Sequence, residues 1–433
     1  MDRTGNTEEG KDSGWKQRLR RFFSPVPLLG WLLGSLAAVL VERAVGEELA
    51  EAIGFSGIPM LFGINTMLRQ PALIPSSLLY MLLIYVLPIG LVARFSSSLA
   101  NPVAEKLLKV SAPLSGLIHL GLLYAVLHLW TDISDYRLIT LRLILIAVMV
   151  TLSLNVVNGY MGEFSCSHPG FMALGAYGSS VFSLVLFVEN NKLTGSALLP
   201  PSLGPYLFPL GLVAGGLLAA LSALIVAVPS FKTRGDYLAV ISLAFTFIVK
   251  SLIENLELVG GARGLGGEPA YANLPTVFVW TVLCVWIINN FVRSTLGKAL
   301  NAVRDDETAA GAMTVNTRYT KIVAFLFAAF WAGVAGGLFA HVLRYVNPGT
   351  FGLQALADVL AMLYLGGLNS VHGSVLGAVG LNLLSEALKP LEIYKWIIIP
   401  VLVILVMVFR PSGLIAFREF DGKILLRPRR KAG

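Results

Sequence analysis

Long apolar segments alternate with short polar segments from about residue 25 to residue 409 of this chain. Most of the apolar segments are about 17–25 residues long, the length that a helix needs to cross a hydrocarbon core of about 30 Å. We therefore predict an all-α polytopic membrane protein whose spans lie at residues 25–45, 73–93, 111–130, 138–157, 168–188, 206–229, 237–256, 275–292, 321–341, 355–369, 374–388 and 396–409.

The composition supports this prediction and excludes other classes of protein. Hydrophobic residues make up 56% of the chain and charged residues 13%, which is about half of the share that is usual in soluble proteins. So few charges cannot cover a soluble surface, so a soluble enzyme and a nucleic-acid-binding protein are excluded, and the lipid bilayer is the expected surrounding. Cys166 and Cys284 lie in separate apolar segments, so we expect neither a disulfide framework nor a metal site.

The distribution of Lys and Arg predicts the orientation of the chain. If both termini are cytoplasmic, the inner segments carry 23 Lys and Arg residues, whereas the outer loops carry 7. Cytoplasmic segments of membrane proteins are enriched in these residues. We therefore predict a multi-pass protein of the cell membrane with cytoplasmic basic tails at residues 1–24 and 411–433.

Glycines and a proline interrupt one otherwise apolar segment, Asn155–Tyr177. The interrupting residues are Gly159, Gly162, Pro169, Gly170 and Gly175. Irregular backbone at membrane depth lines a cavity or is buried in protein, and such interruptions mark substrate regions in transporters. Close packing of helices through small residues explains the same pattern, and the two interpretations are compatible.

Glu163 and His168 are the most polar residues of this segment. An ionisable residue at membrane depth is a functional candidate, so one interpretation is that they line or gate a pathway. The other is a structural role at the cytoplasmic interface, because the end of the span is uncertain by a few residues. Lys250 and Glu254 are four residues apart on one helix, the spacing of a structural ion pair.

The largest predicted cytoplasmic loop, residues 293–321, has the Ala, Leu and Met content of a helix. Asp305, Asp306 and Glu307 precede its Ala-rich part, where carboxylates stabilise a helix N-terminus. We expect a short helix along the membrane surface and a docking surface for a cytosolic partner. An ordinary solvated connection is the alternative.

Motifs for several enzymatic activities are missing from the sequence. It contains no GxxxxGK[ST] for ATP phosphates, no HExxH and no GxSxG. A glycine-rich stretch, Gly260–Pro269, lies between two spans on the predicted outer side with no preceding strand, so we reject it as a nucleotide loop.

The motifs that are present follow one another in a specific order over about residues 111–415. They are carried by Leu154, Asn155, Gly159, Tyr160, Gly162, Ser165, His168, Phe171, Gly175, Ala176, Tyr177, Thr233–Ala244, Gly260, Gly261, Gly264, Leu265, Gly297–Asn316, Gly366–Leu368, Gly373 and Phe409–Gly413. Together they resemble the permeases of branched-chain amino acid ABC importers, of the LivM type in the LivH/LivM family. The unbroken order makes this resemblance far more specific than any single motif.

The resemblance implies a ten-span ABC importer permease core in the inner membrane. This number agrees with the ten spans that we predict from residue 111 onward. The expected core is therefore residues 111–410, with the coupling loop at 293–321, and residues 25–110 form a two-span N-terminal extension.

The resemblance also implies an activity and a set of partners. The chain would be the permease subunit of an ATP-driven importer for leucine, isoleucine and valine, and would form the pathway with a second related permease subunit. Two ABC ATPase subunits would hydrolyse ATP, and a periplasmic or extracellular substrate-binding protein would deliver the substrate. The chain itself would be no enzyme and would bind no cofactor.

Individual residues acquire roles from the same resemblance. Those implied in coupling to the ATPase are Ala302, Arg304, Asp305, Asp306, Glu307, Ala309, Ala310 and Met313. Those implied in the pathway and its broken helix are Asn155, Gly159, Gly162, Glu163, Ser165, His168 and Tyr177. An outer loop is implied at Gly260, Gly261 and Gly264.

Two residues depart from the family pattern, and two other functions stay open. Glu163 stands where the family often has Gln, and Thr314 stands where it usually has Gly.

Relatives with the same motifs carry urea or short amides, so such a permease is one alternative. A secondary transporter driven by an ion gradient, with Glu163, His168 or Glu254 as its coupling site, is another. An intramembrane enzyme is disfavoured because His341 and His372 lack acidic neighbours in the sequence.

Overall fold

The apolar segments form long helices in the computed structural model, which describes residues 22–189, 195–232, 237–410, 413–416, 422 and 426–429. Ten helices within these residues are long and apolar enough to cross a membrane. They confirm the prediction of an all-α polytopic membrane protein. Most of the two predicted basic tails, and residues 233–236 of the motif at 233–244, lie outside the described residues.

The N-terminal helices lie between Leu28 and Thr131. They are α1 (Leu28–Ala52), α2 (Ile64–Arg69), α3 (Ile74–Tyr80), α4 (Leu87–Val110) and α5 (Ala112–Thr131), with 3₁₀ turns at Met60–Gly63 and Pro71–Leu73 and a π-helical turn at Met81–Val86. The chain is continuously helical from Pro71 to Val110. Residues 94–109, which lie between the predicted spans 73–93 and 111–130, therefore extend a helix. Their last part, residues 104–109, consists of good helix formers and contains an i,i+4 ion pair of Glu105 with Lys109.

Eleven further helices follow in the described part of the core. They are α6 (Asp135–Asn155), α7 (His168–Phe187), α8 (Gly204–Ser230), α9 (Tyr237–Asn255), α10 (Leu274–Arg293), α11 (Thr295–Asp305), α12 (Glu307–Ala312), α13 (Thr317–Leu343), α14 (Leu353–Gly366), α15 (Val371–Ala387) and α16 (Lys395–Phe409). A π-helical turn at Val156–Met161 prolongs α6. Short 3₁₀ turns lie at Pro201–Leu203, Glu257–Val259, Gly261–Arg263, Pro348–Phe351 and Lys389–Tyr394.

A two-residue antiparallel pair joins the loop after α9 to the end of α13. Strand β1 (Leu265–Gly266) pairs with β2 (Tyr345–Val346), and Leu265 lies opposite Val346. The pair holds this loop against the last turn of α13.

Helix α16 reaches the length of a span together with the 3₁₀ turn before it, as Lys389–Phe409, but two other predicted spans are short helices. Helices α14 and α15 have 14 and 17 residues, which makes them about 21 Å and about 26 Å long at 1.5 Å per residue. The segments predicted at 355–369 and 374–388 are therefore shorter than the hydrocarbon core of about 30 Å. Helix α14 ends early because Gly367 and Asn369 both have positive φ, at +123° and +54°.

The described residues divide into two compact units, 22–137 with 422 and 426–429, and those from 138 to 416. This division differs from the predicted boundary at residues 110 and 111. Helix α5 belongs to the N-terminal unit because it packs against α1 and α4. The second unit holds the larger apolar core, which is centred on α6, α7, α8 and α13.

Glycines bring three helices of this core into backbone contact. A Cβ atom at Gly175 of α7 would overlap the backbone of Gly333 of α13, and one at Gly215 of α8 would overlap Gly175 itself. A Cβ at Gly336 would overlap the carbonyl of Met172. Close packing through small residues therefore accounts for Gly175, in line with one of the two interpretations of its segment.

Candidate functional site

The glycine-rich segment interrupts a helix in the interior of the core. Helix α6 continues through the π-helical turn at Val156–Met161 and ends at Gly162, whose φ is +76°. Residues up to Ser167 are not helical, and α7 begins at His168. Such irregular backbone is stable within a membrane protein only if other groups of the protein or water satisfy its polar atoms.

Asn155 satisfies backbone groups of a second interruption, between α14 and α15. Its Nδ2 donates hydrogen bonds to the carbonyl of Ser370 at 3.0 Å and to Oγ of Ser374 at 2.6 Å. Its Oδ1 accepts from the backbone N–H of Asn369 at 3.0 Å. A Cβ at Gly159 would overlap both Asn155 Oδ1 and Asn369 N, so only glycine fits there. The two helix interruptions therefore pack against each other.

Helix α9 holds the other side of the non-helical loop. Ser242 Oγ accepts a hydrogen bond from the backbone N–H of Cys166 at 2.8 Å, and Thr246 Oγ1 donates to the Cys166 carbonyl at 2.8 Å. Within the loop, the hydroxyls of Ser165 and Ser167 lie 2.9 Å apart. Side chains thus replace the missing backbone hydrogen bonds of the helix.

Lys321 of α13 links this loop to the polar segment between α10 and α13. Its Nζ donates to Glu163 Oε1 at 2.7 Å and to Glu307 Oε2 at 2.8 Å. Glu163 lies in the interrupted segment, and Glu307 begins α12. One buried ammonium group therefore connects two parts of the molecule that the sequence analysis treated separately.

The polar segment is helical because side chains cap it. Ser294 Oγ accepts from the N–H of Gly297 at 3.3 Å and caps α11. Asp306 Oδ1 accepts from the N–H groups of Thr308 and Ala309, both at 2.9 Å, and caps α12. The prediction that this acidic cluster begins a helix is thereby confirmed, although the loop holds two short helices rather than one.

Arg304 makes a second link between α11 and the interrupted helix. Its Nη1 donates to the carbonyl of Gly159 at 3.4 Å, and its Nε and Nη2 donate to Asp305 at 3.0 and 2.7 Å. A Cβ at Gly162 would overlap the side-chain stem of Arg304. Glycine is therefore needed at position 162 for two reasons: the left-handed backbone of the turn and the close packing of Arg304 of α11.

Most of the residues implied in coupling are exposed on α11, on α12 and in the turn that follows. Ala302, Asp306, Ala309 and Met313 are exposed, and Met313 retains 77% of its accessible surface. Ala310, which the resemblance also implied in coupling, is only 5% exposed because its side chain packs against other residues of this chain. The surface open to a partner thus excludes Ala310.

Thr314 adopts a left-handed backbone conformation, with a φ of +68°. A β-branched residue is a genuine outlier in this region, which glycine occupies without strain. The departure from glycine that the sequence shows here therefore places strain in the turn after α12.

Two of the predicted pathway residues have surroundings that differ from those of Glu163. His168 is fully buried at the start of α7, with its ring centroid 6.0 Å from that of Phe171, so it is not exposed at an interface. Tyr177 lies two to three turns further along α7, where its Oη donates to the carbonyl of Val346 at 3.3 Å. Tyr177 belongs with the β1–β2 loop rather than with the interrupted helix.

The predicted outer-loop glycines form the turns of that loop. Gly260, Gly261 and Gly264 have φ values of +89°, +53° and +82°. A Cβ at Gly264 would overlap the carbonyl of Val346. Their positions are therefore explained by backbone conformation and close approach.

Glu268, which follows this loop, is a buried carboxylate that the sequence analysis did not single out. Its residue is fully buried, and Arg344 Nε donates to its backbone carbonyl at 3.2 Å. Burial raises the pKa of the Glu268 carboxyl, and the nearby Ser180 and Arg344 partly oppose the rise.

Sequence reasoning also missed Lys321 and the partners of Asn155, which are Asn369, Ser370 and Ser374. For Asn369, Ser370 and Ser374 the only signal was the short polar break after Gly366. It indicated the end of a helix but not that Asn155 would contact it. A lysine at the edge of an apolar segment gave no signal of its own because such residues commonly mark a membrane interface. Among the described residues, no group of His, Cys, Asp and Glu could hold a metal ion.

The sequence of the region that contains these helices matches the model of a known family. The model for the permease component of branched-chain amino acid transport systems matches residues 136–408. The chain belongs to this family. The resemblance inferred from the motifs is thereby confirmed, and the matched region begins close to the boundary between the two compact units.

Individual relatives agree with the family. The chain is 31% identical over 308 residues to the high-affinity branched-chain amino acid transport system permease protein LivM of Escherichia coli, covering 63% of this chain and 68% of that protein. The probable permease protein LivM of Methanocaldococcus jannaschii is 23% identical over 311 residues, which are 62% of this chain and 89% of that protein. No solved structure matches the chain significantly. The protein is thus a multi-pass membrane permease.

Proposed function

We propose that this chain is the permease subunit of an ATP-driven importer of leucine, isoleucine and valine. The observation that carries the proposal is the double ion pair of Lys321, which connects an exposed surface helix with the interrupted helix of the core. The names of the relatives, which are branched-chain amino acid permeases, support the substrate class.

The contacts suggest how motion passes from an ATPase to the pathway. Helices α11 and α12 seat in a groove of the ATPase through Asp306, Ala309 and Met313, which are exposed. Displacement of α12 pulls on Glu307, then on Lys321, and so on Glu163 in the interrupted segment. That segment responds because it lacks the regular backbone hydrogen bonds that would keep a continuous helix rigid.

A complete importer requires further chains. A second, related permease subunit completes the passage, and two ATPase subunits hydrolyse ATP, so this chain needs no cofactor of its own. A substrate-binding protein on the outer side delivers the amino acid. The excess of Lys and Arg in the segments predicted to be cytoplasmic, 23 against 7 in the outer loops, supports cytoplasmic termini in the inner membrane.

Purification from the native membrane in mild detergent tests the assembly. We expect an ATPase pair and one related permease chain in fixed ratio. The complex, reconstituted with its binding protein, should take up leucine, isoleucine and valine when ATP is supplied inside the vesicles. Uptake of urea instead would assign the urea and amide branch. Uptake by the chain alone, driven by an ion gradient, would overturn the proposal.

Glu307→Lys tests the link itself. The new ammonium group repels Lys321, so we expect uptake to fall to background while insertion into the membrane is unchanged. Glu48→Lys is the matched control because it makes the same charge change at an exposed position of α1, and it should leave uptake unchanged. Normal uptake by the Glu307→Lys complex would contradict the coupling role of α12.

A further inference from the structure

Two neighbouring cavities lie beside α14, at the end of the core away from α11 and α12. Their volumes are about 460 Å³ and about 270 Å³, and Gln354 and Asp358 line both. Helix α13 starts next to α12 at Thr317 and ends at Leu343. Since α14 begins only ten residues later, its second turn, with Asp358, lies near the end of α13 that is remote from the surface helices.

The larger cavity combines an apolar wall with a few polar groups. The wall is formed by Ile146 of α6, Met172 of α7 and Phe339 of α13. Thr350 and Asn382 add polar side chains beside Gln354 and Asp358. A cavity of this volume and composition is typical of a site for a small organic molecule, with the polar groups fixing its orientation.

Asp358 is a carboxylate within an apolar helix of the core. Gln354 Nε2 donates to its Oδ1 at 3.3 Å. Lys395 lines the smaller cavity together with Asp358, yet among the described residues it forms no ion pair with it, and its Nζ lies 4.8 Å from the ring centroid of Trp396. Carboxylates in membrane helices are costly and mark functional sites. Asp358, which lines both cavities, therefore keeps acceptor capacity for a further donor.

We propose that the larger cavity is a subsite for a zwitterionic, branched aliphatic amino acid. Asp358 accepts the ammonium group of the substrate, and the wall around Ile146 and Phe339 contacts its branched side chain. The hydroxyl of Thr350, which lines the same cavity, offers a hydrogen-bond donor to the substrate carboxylate. This inference rests on the proposed function and adds to it the place and the groups that recognise the substrate in this subunit.

Photo-crosslinking of the assembled complex in lipid nanodiscs tests the subsite. The probe is a leucine analogue that carries a diazirine in its side chain. We expect labelled peptides from α6 and α13, competition by leucine, and no competition by 4-methylpentanoate, which has the side chain and carboxylate of leucine but no ammonium group.

Substitutions at Asp358 supply the second part of the test. Asp358→Asn removes the charge without changing size, and we expect labelling and leucine uptake to fall about tenfold or more. Asp358→Glu should restore part of both. Glu386→Gln is the matched control, since it removes a carboxylate of the neighbouring α15 that lines neither cavity, and should change neither readout.

Gln354→Lys provides a second variant in case Asp358→Asn does not fold. Gln354 is exposed, so the substitution is compatible with folding, and the new ammonium group four residues before Asp358 competes with the substrate. Unchanged labelling in both Asp358→Asn and Gln354→Lys, equal competition by 4-methylpentanoate, or labelling confined to other segments would overturn the subsite. If the parent complex takes up leucine with ATP in these experiments, only the subsite fails; if it does not, the proposed function fails first.

Discussion

The N-terminal unit and the permease core each contain a buried charged group, but the two are built differently. In the N-terminal unit, Arg137 donates to both oxygens of Glu42, at 2.8 and 3.1 Å, and the side chains are only 2% and 0% exposed. In the core, Lys321 is 10% exposed, but its partners Glu163 and Glu307 are 27% and 52% exposed.

The environment of the first pair is closed. Tyr80 Oη donates to Glu42 at 3.3 Å, Arg137 also donates to the carbonyl of Pro59, and the Trp130 ring lies 5.1 Å from the guanidinium carbon. Moving either side chain away from the other would leave a buried charge without its partner, so this pair resists motion.

The cluster around Lys321 is open on one side. It joins three separate elements, and Glu307 remains accessible to water or to another protein. Replacing an ion-pair contact of this cluster by water or by another protein therefore costs less free energy than breaking the Glu42–Arg137 pair. The comparison shows that the first buried charge is enclosed together with its acidic partner, whereas the second reaches the surface through Glu307.

The largest expected effect is that of Glu42→Ala on stability. Because the substitution leaves Arg137 buried without its partner, we expect the free energy of unfolding to fall by roughly 3–5 kcal/mol. Thermal unfolding in detergent measures it. The double variant Glu42→Leu with Arg137→Leu should recover most of the loss, and a single variant as stable as the parent would refute the closed character of the pair.

Lys321→Met should affect stability less and transport more. It leaves the two carboxylates without their shared donor, at a cost of about 2 kcal/mol, and it breaks the link from α12 to the interrupted helix. We expect uptake by the reconstituted complex to fall at least about tenfold. Lys389→Met, at an exposed pair with Glu386, is the control, and equal uptake in both variants would remove Lys321 from the coupling path.

Glu163→Gln should have the smallest effect. The carboxamide oxygen still accepts from Lys321, so stability should change by less than about 1 kcal/mol, and ATP-dependent uptake should persist. Assays at several pH values separate this outcome from the alternative of a gradient-driven transporter, in which the loss of this carboxyl group would abolish uptake.

The sequence was sufficient for features that depend on neighbouring residues. The apolar segments determine the long helices because a helix satisfies its backbone hydrogen bonds within itself. The turn at Gly162 and the cap at Asp306 depend on residues close by in the sequence, so these two features were also predictable. The motif order was specific enough to place the chain in its family.

Features that depend on distant residues were not predictable in this way. Lys321 meets Glu163, 158 residues away, and Asn155 meets Ser374, 219 residues away. Nothing in the local pattern of these residues names their partners. The burial of Ala310 and the packing of α5 with the N-terminal helices are likewise properties of neighbours in space.

By itself, then, the sequence determined the membrane environment, the helices and the family, since each follows from local hydrophobicity, capping and motif order. Only the tertiary structure decided that two helix interruptions pack together, that one lysine joins the surface helix to them, and that Asp358 borders a cavity. The physical reason is that hydrogen bonds and ion pairs between helices depend on how the helices pack, and packing brings together residues that are far apart along the chain.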